Sequence, residues 1–89
     1  MRGGEVPKDE IFARLRETLV AAFELAEDQV VPDARLVADL ELDSLDLVDL
    51  VVRLEQDTNL EIDEEELKSI STVQDVVDLL HRKLGTPAT

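Results

Sequence analysis

The amino-acid sequence predicts an all-α fold, a small four-helix bundle of three long helices and one short helix, with a long loop between the first and second helices. Apolar residues recur at intervals of three and four in separate segments, as they do along a helix with one buried face. No segment alternates apolar and polar residues over the length of a strand. The chain has 89 residues, enough for one domain. These observations together favour a bundle with an aliphatic core.

The first helix is predicted from about Lys8 to Ala26. Its apolar residues form one stripe that faces the core, namely Ile11, Leu15, Leu19, Ala22, Phe23 and Ala26. Residues 1–7 contain two glycines and a proline and are predicted to be a disordered lead. We therefore expect one helical domain over residues 8–85, followed by a flexible C-terminal tail at 86–89.

A long loop is predicted over residues 27–43, which hold a proline, several acids and scattered aliphatic residues. We expect these aliphatic residues to be attached to the core: Val30, Val31, Leu36, Val37, Leu40 and Leu42. A loop of this length is uncommon in a small domain and more often has a function than not.

The second helix is predicted from Ser44 to about Asp57, with Asp43 as its N-cap and Asp46 three residues further on. Its apolar residues surround more of the helix than one buried stripe requires. We expect the core side to consist of Leu47, Leu50, Val51 and Leu54. A second, exposed stripe would then consist of Leu45, Val48 and Val52. An apolar stripe bordered by acids indicates a recognition surface, unless these three residues complete the core.

Two further helices are predicted after a break at Thr58 and Asn59. A short helix at Asp63–Lys68 should direct Leu67 inward, with Leu60 and Ile62 as anchors before it. The last helix begins at a capping-box spacing, Thr72 to Asp75, and ends at Gly85. Its core residues are predicted to be Val73, Val76, Val77, Leu80 and Leu84.

The chain is strongly acidic, with 22 acids, 9 bases and a net charge of −13. This charge argues against unaided binding of nucleic acid or an anionic membrane and favours a monomer. Ten acids but a single base lie within residues 43–66. They indicate either a solvated face or a surface for docking basic partners. With no cysteine, disulfides and thiolate sites are excluded. No signal peptide or membrane span is recognised, so a cytoplasmic location is expected by default.

The segment DLELDSLDLVDLVVRLE, residues 39–55, resembles the modification-site helix of acyl carrier proteins, with Asp-Ser-Leu at 43–45. The resemblance covers about residues 8–84 and includes the acidic segment LEIDEEELKSISTVQDVVDLL. It implies a freestanding carrier and not an enzyme. A phosphopantetheinyl transferase would attach 4′-phosphopantetheine from coenzyme A to Ser44. Acyl intermediates of fatty acid, polyketide or related lipid and polyene biosynthesis would then be carried as thioesters.

The same resemblance implies which residues meet the acyl-processing partner enzymes, through basic docking patches on those enzymes. Along the second helix these are Asp43, Leu45, Asp46, Val48, Asp49, Val52 and Glu55. A second acidic patch is implied at Glu61, Glu64 and Glu65. In many members of this family the aliphatic core between the helices also sheathes the acyl chain.

The chain departs from the family pattern near the serine. Many carriers of fatty acid synthases have a glycine and a small residue where this chain has Glu41 and Leu42, and a phenylalanine where it has Thr58. The glycine pair typical of peptidyl carriers is missing. These departures favour a carrier dedicated to one lipid, polyketide or polyene pathway.

Three other functions compete with the carrier function. A calcium loop starting at Asp57 fails because Ile62 and Lys68 stand where glycine and glutamate are needed, so no metal site is predicted. A serine hydrolase would need a base, but His81 lies near the end of the last helix, and no catalytic residue is predicted. An acidic helical interaction module in which Ser44 stays unmodified and only caps the helix remains open.

Overall fold

The structure is a computed structural model that describes residues 7–85. Four α-helices follow one another: α1 Lys8–Phe23, α2 Ser44–Thr58, α3 Glu64–Ser69 and α4 Val73–Gly85. A 3₁₀ turn at Glu27–Gln29 interrupts the long loop. No strand occurs in the described residues, only an isolated bridge between Arg35 and Thr72. The predicted all-α bundle with its long loop is confirmed.

The predicted lead, residues 1–7, and the predicted tail, residues 86–89, lie outside the described residues apart from Pro7. The division of the chain into lead, domain and tail therefore stays a prediction. Between residues 7 and 85 no helix is long and apolar enough to cross a bilayer.

The first helix ends earlier than predicted, at Phe23 and not at Ala26. Glu24 adopts a left-handed conformation with φ 58° and ψ 40°, which terminates the helix. The change of chain direction at Glu24 lets Leu25 pack against the core, whereas Ala26 is exposed. The prediction was wrong here because the apolar spacing continues past the residue at which the backbone turns.

The core is aliphatic and is supplied by α1, α2, α4 and the loop. Its largest fully buried side chains are Leu15, Leu19, Leu36, Leu50, Val30, Val73 and Val76. The predicted stripes of α1 and α4 supply most of their core residues, although Leu84 is only partly buried and Leu79 is buried without having been predicted. Each fully buried aliphatic side chain contributes about 1.5–3 kcal/mol of transfer free energy, so the packed stripes dominate the stability.

The long loop is attached to the N-terminus of α4 by backbone hydrogen bonds. Leu36 N donates to Ser71 O at 2.9 Å, Val73 N donates to Ala34 O at 2.9 Å, and Gln74 N donates to Pro32 O at 3.0 Å. These bonds satisfy backbone groups that neither a loop nor a helix start can satisfy alone. They attach the loop to the start of α4.

The loop's aliphatic residues divide into two sets. Four are buried as predicted: Val30, Leu36, Leu40 and Leu42. The other two, Val31 and Val37, are 43% and 60% exposed, so the prediction that they attach to the core was wrong. Because the neighbouring Val30 and Leu36 already point inward, Val31 and Val37 are left on the solvent side.

The third helix is short, and the residues before and after it attach it to the core. The partly buried Ile62 and Ile70 pack against the core on either side of it, and Leu67 is half-buried. Lys83 of α4 donates to Glu61 O at 2.9 Å and pairs with Glu66 at 3.0 Å. The short helix is therefore fastened to α4 by one lysine.

Candidate functional site

Ser44 is the first residue of α2, and it is exposed. Asp43 is the N-cap: its Oδ1 accepts from Asp46 N at 2.9 Å, and Asp46 Oδ2 accepts from Asp43 N at 3.2 Å. The predicted cap is confirmed. Because Asp43 occupies the N-cap position, Ser44 does not cap the helix. The hypothesis of an interaction module had assigned that capping role to Ser44. The Ser44 hydroxyl makes no hydrogen bond to any described residue, His81 included.

The N-terminus of α2 also has unused backbone donors. Asp46 N is bonded to the cap and Leu47 N donates to Asp43 O at 3.0 Å. Within residues 7–85, the amides of Ser44 and Leu45 have no acceptor. Free amides at the positive end of a helix dipole favour a negative group, so this end suits a phosphodiester on the adjacent oxygen.

The approach to α2 places Ser44 in a fixed position. Leu42 is 3% exposed, and its amide donates to Leu36 O at 3.0 Å. Between this anchor and the preceding turn, Glu41 takes a left-handed conformation with φ 60°. The serine is thus held between a buried leucine on one side and a capped helix on the other.

The two apolar faces of α2 lie as predicted. On the core side Leu50, Val51 and Leu54 are buried, and Leu47 packs partly against the core. On the other side Leu45, Val48 and Val52 are 77%, 50% and 42% exposed. The predicted exposed stripe is confirmed, and the alternative that these residues complete the core is excluded.

The acidic residues near the stripe differ in their exposure and in their bonding partners. Asp43 and Asp49 are exposed, and Asp46 is half-buried in the cap. Asp49 pairs with Arg53 one turn later, at 3.3 Å from Oδ2 to Nε. This pair and the capping box remove part of the acids' capacity to bond elsewhere, but the side chains stay at the surface.

The acidic residues from the end of α2 to α3 also differ in exposure and in bonding. Glu61, Glu64 and Glu65 are exposed, whereas Glu55 is half-buried and its Oε2 accepts from Ile62 N at 2.8 Å. No local pattern in the sequence indicates that Glu55 supports the backbone before α3. The pKa of Glu66 is lowered by the hydrogen bond from Asp63 N and by Lys83.

A cavity of about 330 Å³ lies between α1, α2 and α4 and is lined mainly by apolar atoms. Leu54, Leu80 and Leu84 line it together with residues of the first half of α1. Leu54 is ten residues after Ser44, a rise of about 15 Å along the helix. The cavity therefore lies toward the end of α2 that is remote from the serine.

Comparison with known proteins identifies the family and several relatives of this chain. The family described as "Phosphopantetheine attachment site" matches residues 13–80. The acyl carrier protein of Petrotoga mobilis is 43% identical over 78 residues, which cover 88% of this chain and 92% of that protein. The acyl carrier protein of Thermotoga maritima is 40% identical over 78 residues, covering 88% and 96%. That of Coprothermobacter proteolyticus is 40% identical over 79 residues, covering 89% and 96%.

The chain belongs to the phosphopantetheine attachment-site family. It is a carrier of acyl groups and not an enzyme, and it bears a covalent 4′-phosphopantetheine whose thiol holds the acyl group as a thioester. Membership also implies interaction with a phosphopantetheinyl transferase and with acyl-processing enzymes. The predicted family, carrier function and cofactor are confirmed. An exposed, unbonded hydroxyl beside free helix amides fits this group.

Proposed function

We propose that Ser44 is the residue that carries the 4′-phosphopantetheine. The transferase forms a bond between Ser44 Oγ and the β-phosphorus of coenzyme A. The bond between this phosphorus and the oxygen that bridges the two phosphates breaks, that oxygen leaves with adenosine 3′,5′-bisphosphate, and the serine proton is released to solvent. The observation that supports this assignment is an exposed hydroxyl without a partner among the described residues, at a helix start whose cap is the preceding residue.

Intact mass tests the assignment. Incubation with coenzyme A and a transferase should add one phosphopantetheinyl increment to the wild-type protein and none to Ser44→Ala. Ser69→Ala is the matched control, because Ser69 is exposed but its hydroxyl donates to Glu66 O at 2.8 Å. It should be modified like wild type. An increment that persists in Ser44→Ala refutes the assignment. A wild-type protein that several transferases leave unchanged would favour the unmodified interaction module.

The exposed stripe and the acids around it are proposed to dock basic patches on the partner enzymes. The proposed contact residues on and beside α2 are Asp43, Leu45, Asp46, Val48, Asp49, Val52 and Glu55, with Glu61, Glu64 and Glu65 near α3. Apolar side chains exposed between acids support this proposal, because such a surface combines burial with electrostatic steering. Glu55 can contribute charge while one of its oxygens keeps its bond to Ile62 N.

Neutral variants test the electrostatic part without disturbing the helix. Asp46→Asn together with Asp49→Asn removes two charges while an oxygen remains to accept from Asp43 N. We expect kcat/KM for modification to fall about three- to tenfold at low salt, and the difference to shrink at high salt. Glu17→Gln, at an exposed position of α1, is the control and should not change the rate. Equal rates for the double variant across a salt series would remove the electrostatic proposal.

The protein is further proposed to act in the cytoplasm as a monomer that does not bind membranes, in fatty acid, polyketide or related lipid biosynthesis. The net charge of −13 supports this, because like-charged copies and anionic lipids are both repelled. Light scattering should give the monomer mass, and the protein should not sediment with anionic vesicles. Mass spectrometry of the protein from its native host identifies the acyl group and hence the class of pathway.

A further inference from the structure

In the part of the chain that the structure describes, the large exposed hydrophobic side chains all lie between residues 31 and 52. Within the described residues, its exposed large hydrophobic side chains are Val31, Val37, Leu45, Val48 and Val52. The last three form the stripe of α2, and the first two lie on the long loop. Ser44 therefore lies in the sequence between two exposed apolar groups, of which only the α2 group is part of the proposed docking surface.

The loop valine nearest to Ser44, Val37, lies on an ordered turn. Asp39 N and Leu40 N both donate to Arg35 O, at 2.9 and 3.0 Å, and Asp39 Oδ2 accepts from Arg35 N at 2.8 Å. The turn is anchored on each side by a buried leucine, Leu36 at 1% exposure and Leu40 at 3%. Val37 is 60% exposed, so folding does not require an apolar residue at this position.

The turn is joined by a hydrogen bond to the segment that leads into the serine. Leu42 N bonds to Leu36 O at 3.0 Å, which joins the residue before Val37 to a residue two positions before Ser44. Chain geometry then limits the distance between the Cα atoms of Val37 and Ser44 to less than about 20 Å. The α2 stripe extends about 10 Å along the helix. One partner surface of standard size, about 800 Å² or roughly 30 Å across, can cover both.

The charge around the loop resembles that around α2. Residues 27–43 contain six acids and one base, Arg35. An apolar side chain in acidic surroundings fits a partner with an apolar contact bordered by lysine or arginine, and α2 presents the same chemistry.

We propose that Val37 is part of the surface that docks the phosphopantetheinyl transferase, so that this enzyme contacts the carrier on both sides of Ser44. The inference rests on the proposed function, since it takes Ser44 to be the modified residue. The loop turn adds apolar contact area, and α2 supplies the stripe and most of the charge.

The test compares Val37→Ser with Val37→Ile in steady-state modification by a transferase. We expect Val37→Ser to lower kcat/KM about three- to tenfold, because less apolar area is buried on docking, and Val37→Ile to keep the wild-type rate. The loss should be the same at low and high salt, in contrast to that of the charge-neutral variants. Ala13→Ser, at an exposed position of α1, is the surface control. Thermal melts should show all three variants folded.

The outcomes separate this inference from the proposed function. If the wild-type protein is modified on Ser44 but Val37→Ser reacts at the wild-type rate, Val37 is not a contact and the inference is wrong. If Ser44 is not modified in any protein, the proposed function fails first. If Val37→Ser melts lower, Val37→Thr, which keeps the branched shape, replaces it, and the same loss of rate is required.

Discussion

The N-termini of α2 and α4 have the same local cap but opposite surroundings. In each, a capping residue accepts from the amide three positions on, and the acid there accepts from the capping residue's own amide: Asp43 with Asp46, and Thr72 with Asp75. At α4 the first helical residue is Val73, which is fully buried. At α2 the first helical residue is Ser44, which is exposed.

The first two backbone amides of α4 and the first two of α2 also differ in their hydrogen bonding. Val73 N and Gln74 N both donate to loop carbonyls, at 2.9 and 3.0 Å. The amides of Ser44 and Leu45 have no such acceptor in the described part of the chain. One helix start is therefore used for folding, whereas the other is left available to a group that the polypeptide does not itself supply.

The largest expected difference in stability is between alanine variants at the first residue of α4 and at the first residue of α2. Val73→Ala should lower the free energy of unfolding by about 2–3 kcal/mol, because it leaves a cavity in the core. Ser44→Ala should change it by less than about 0.5 kcal/mol, since nothing packs on an exposed hydroxyl. Urea unfolding measures both values. Equal losses would show that the two helix starts do not differ as described.

Removing the caps separates stability from function. Asp43→Ala and Thr72→Ala should each cost about 1 kcal/mol in urea unfolding. If Ser44 is the modified residue, as proposed, only Asp43→Ala should also slow its modification, because the first turn of α2 then frays at this residue.

Asp43→Asn controls for charge, because asparagine caps equally well. It should keep the wild-type stability and lose rate at low salt only. A comparable loss of rate in Thr72→Ala would mean that general destabilisation explains the effect.

The third helix start, at α3, adds a pH-sensitive case. Glu66 Oε1 accepts from Asp63 N at 3.0 Å and pairs with Lys83, and these bonds lower its pKa. A lowered pKa means that the ionised carboxylate stabilises the fold above its ordinary pKa of 4.5. Glu66→Gln should therefore cost about 0.5–1 kcal/mol at pH 7.

This difference between wild type and Glu66→Gln should remain constant down to about pH 4.5. It should then disappear as the pH falls through the lower pKa of the folded state. Urea unfolding at a series of pH values measures it. Glu65→Gln, at the exposed preceding position, is the control and should differ little from wild type at any pH. A difference that grew toward acid would contradict the assigned ion pair.

The smallest expected effect concerns the turn that leads into α2. Glu41 has φ 60°, a conformation that costs a residue with a Cβ about 1 kcal/mol. Glu41→Gly should raise the free energy of unfolding by about 0.5 kcal/mol, after the greater freedom of glycine in the unfolded chain is subtracted. Ala38→Gly, in the same loop without a positive φ, should lower it by about 0.5–1 kcal/mol. Loss of stability in both variants would contradict the strain at position 41.

The sequence predicted those features that depend on local chemistry. The spacing of apolar residues separated the two faces of α2 correctly, and the capping residues Asp43 and Thr72 were found because the cap is a short-range pattern. The break after α2 was also found, since Asn59 tolerates the left-handed conformation it adopts, with φ 62°. No comparable sign marks Glu24, so the end of α1 was predicted three residues too late.

The features that the sequence did not predict depend on contacts between distant segments. Val31 and Val37 resemble the buried aliphatic residues beside them, and only the bonds from the loop to α4 decide which side chains turn inward. The role of Glu55 depends on Ile62 N, seven residues away, across a chain reversal. The assignment of Ser44 came from the resemblance, because a serine at a helix start is by itself more often a cap.

The bonds that hold the long loop to α4 have a consequence for recognition. Since Leu36 and Leu42 are fixed to one another and Leu36 is fixed to Ser71, the polypeptide around the serine is already ordered before any enzyme arrives. An enzyme that docks there, as proposed, would meet a preorganised surface and would lose little free energy in immobilising the carrier's backbone. If Ser44 bears the prosthetic group, as proposed, one preorganised surface would serve several enzymes in turn.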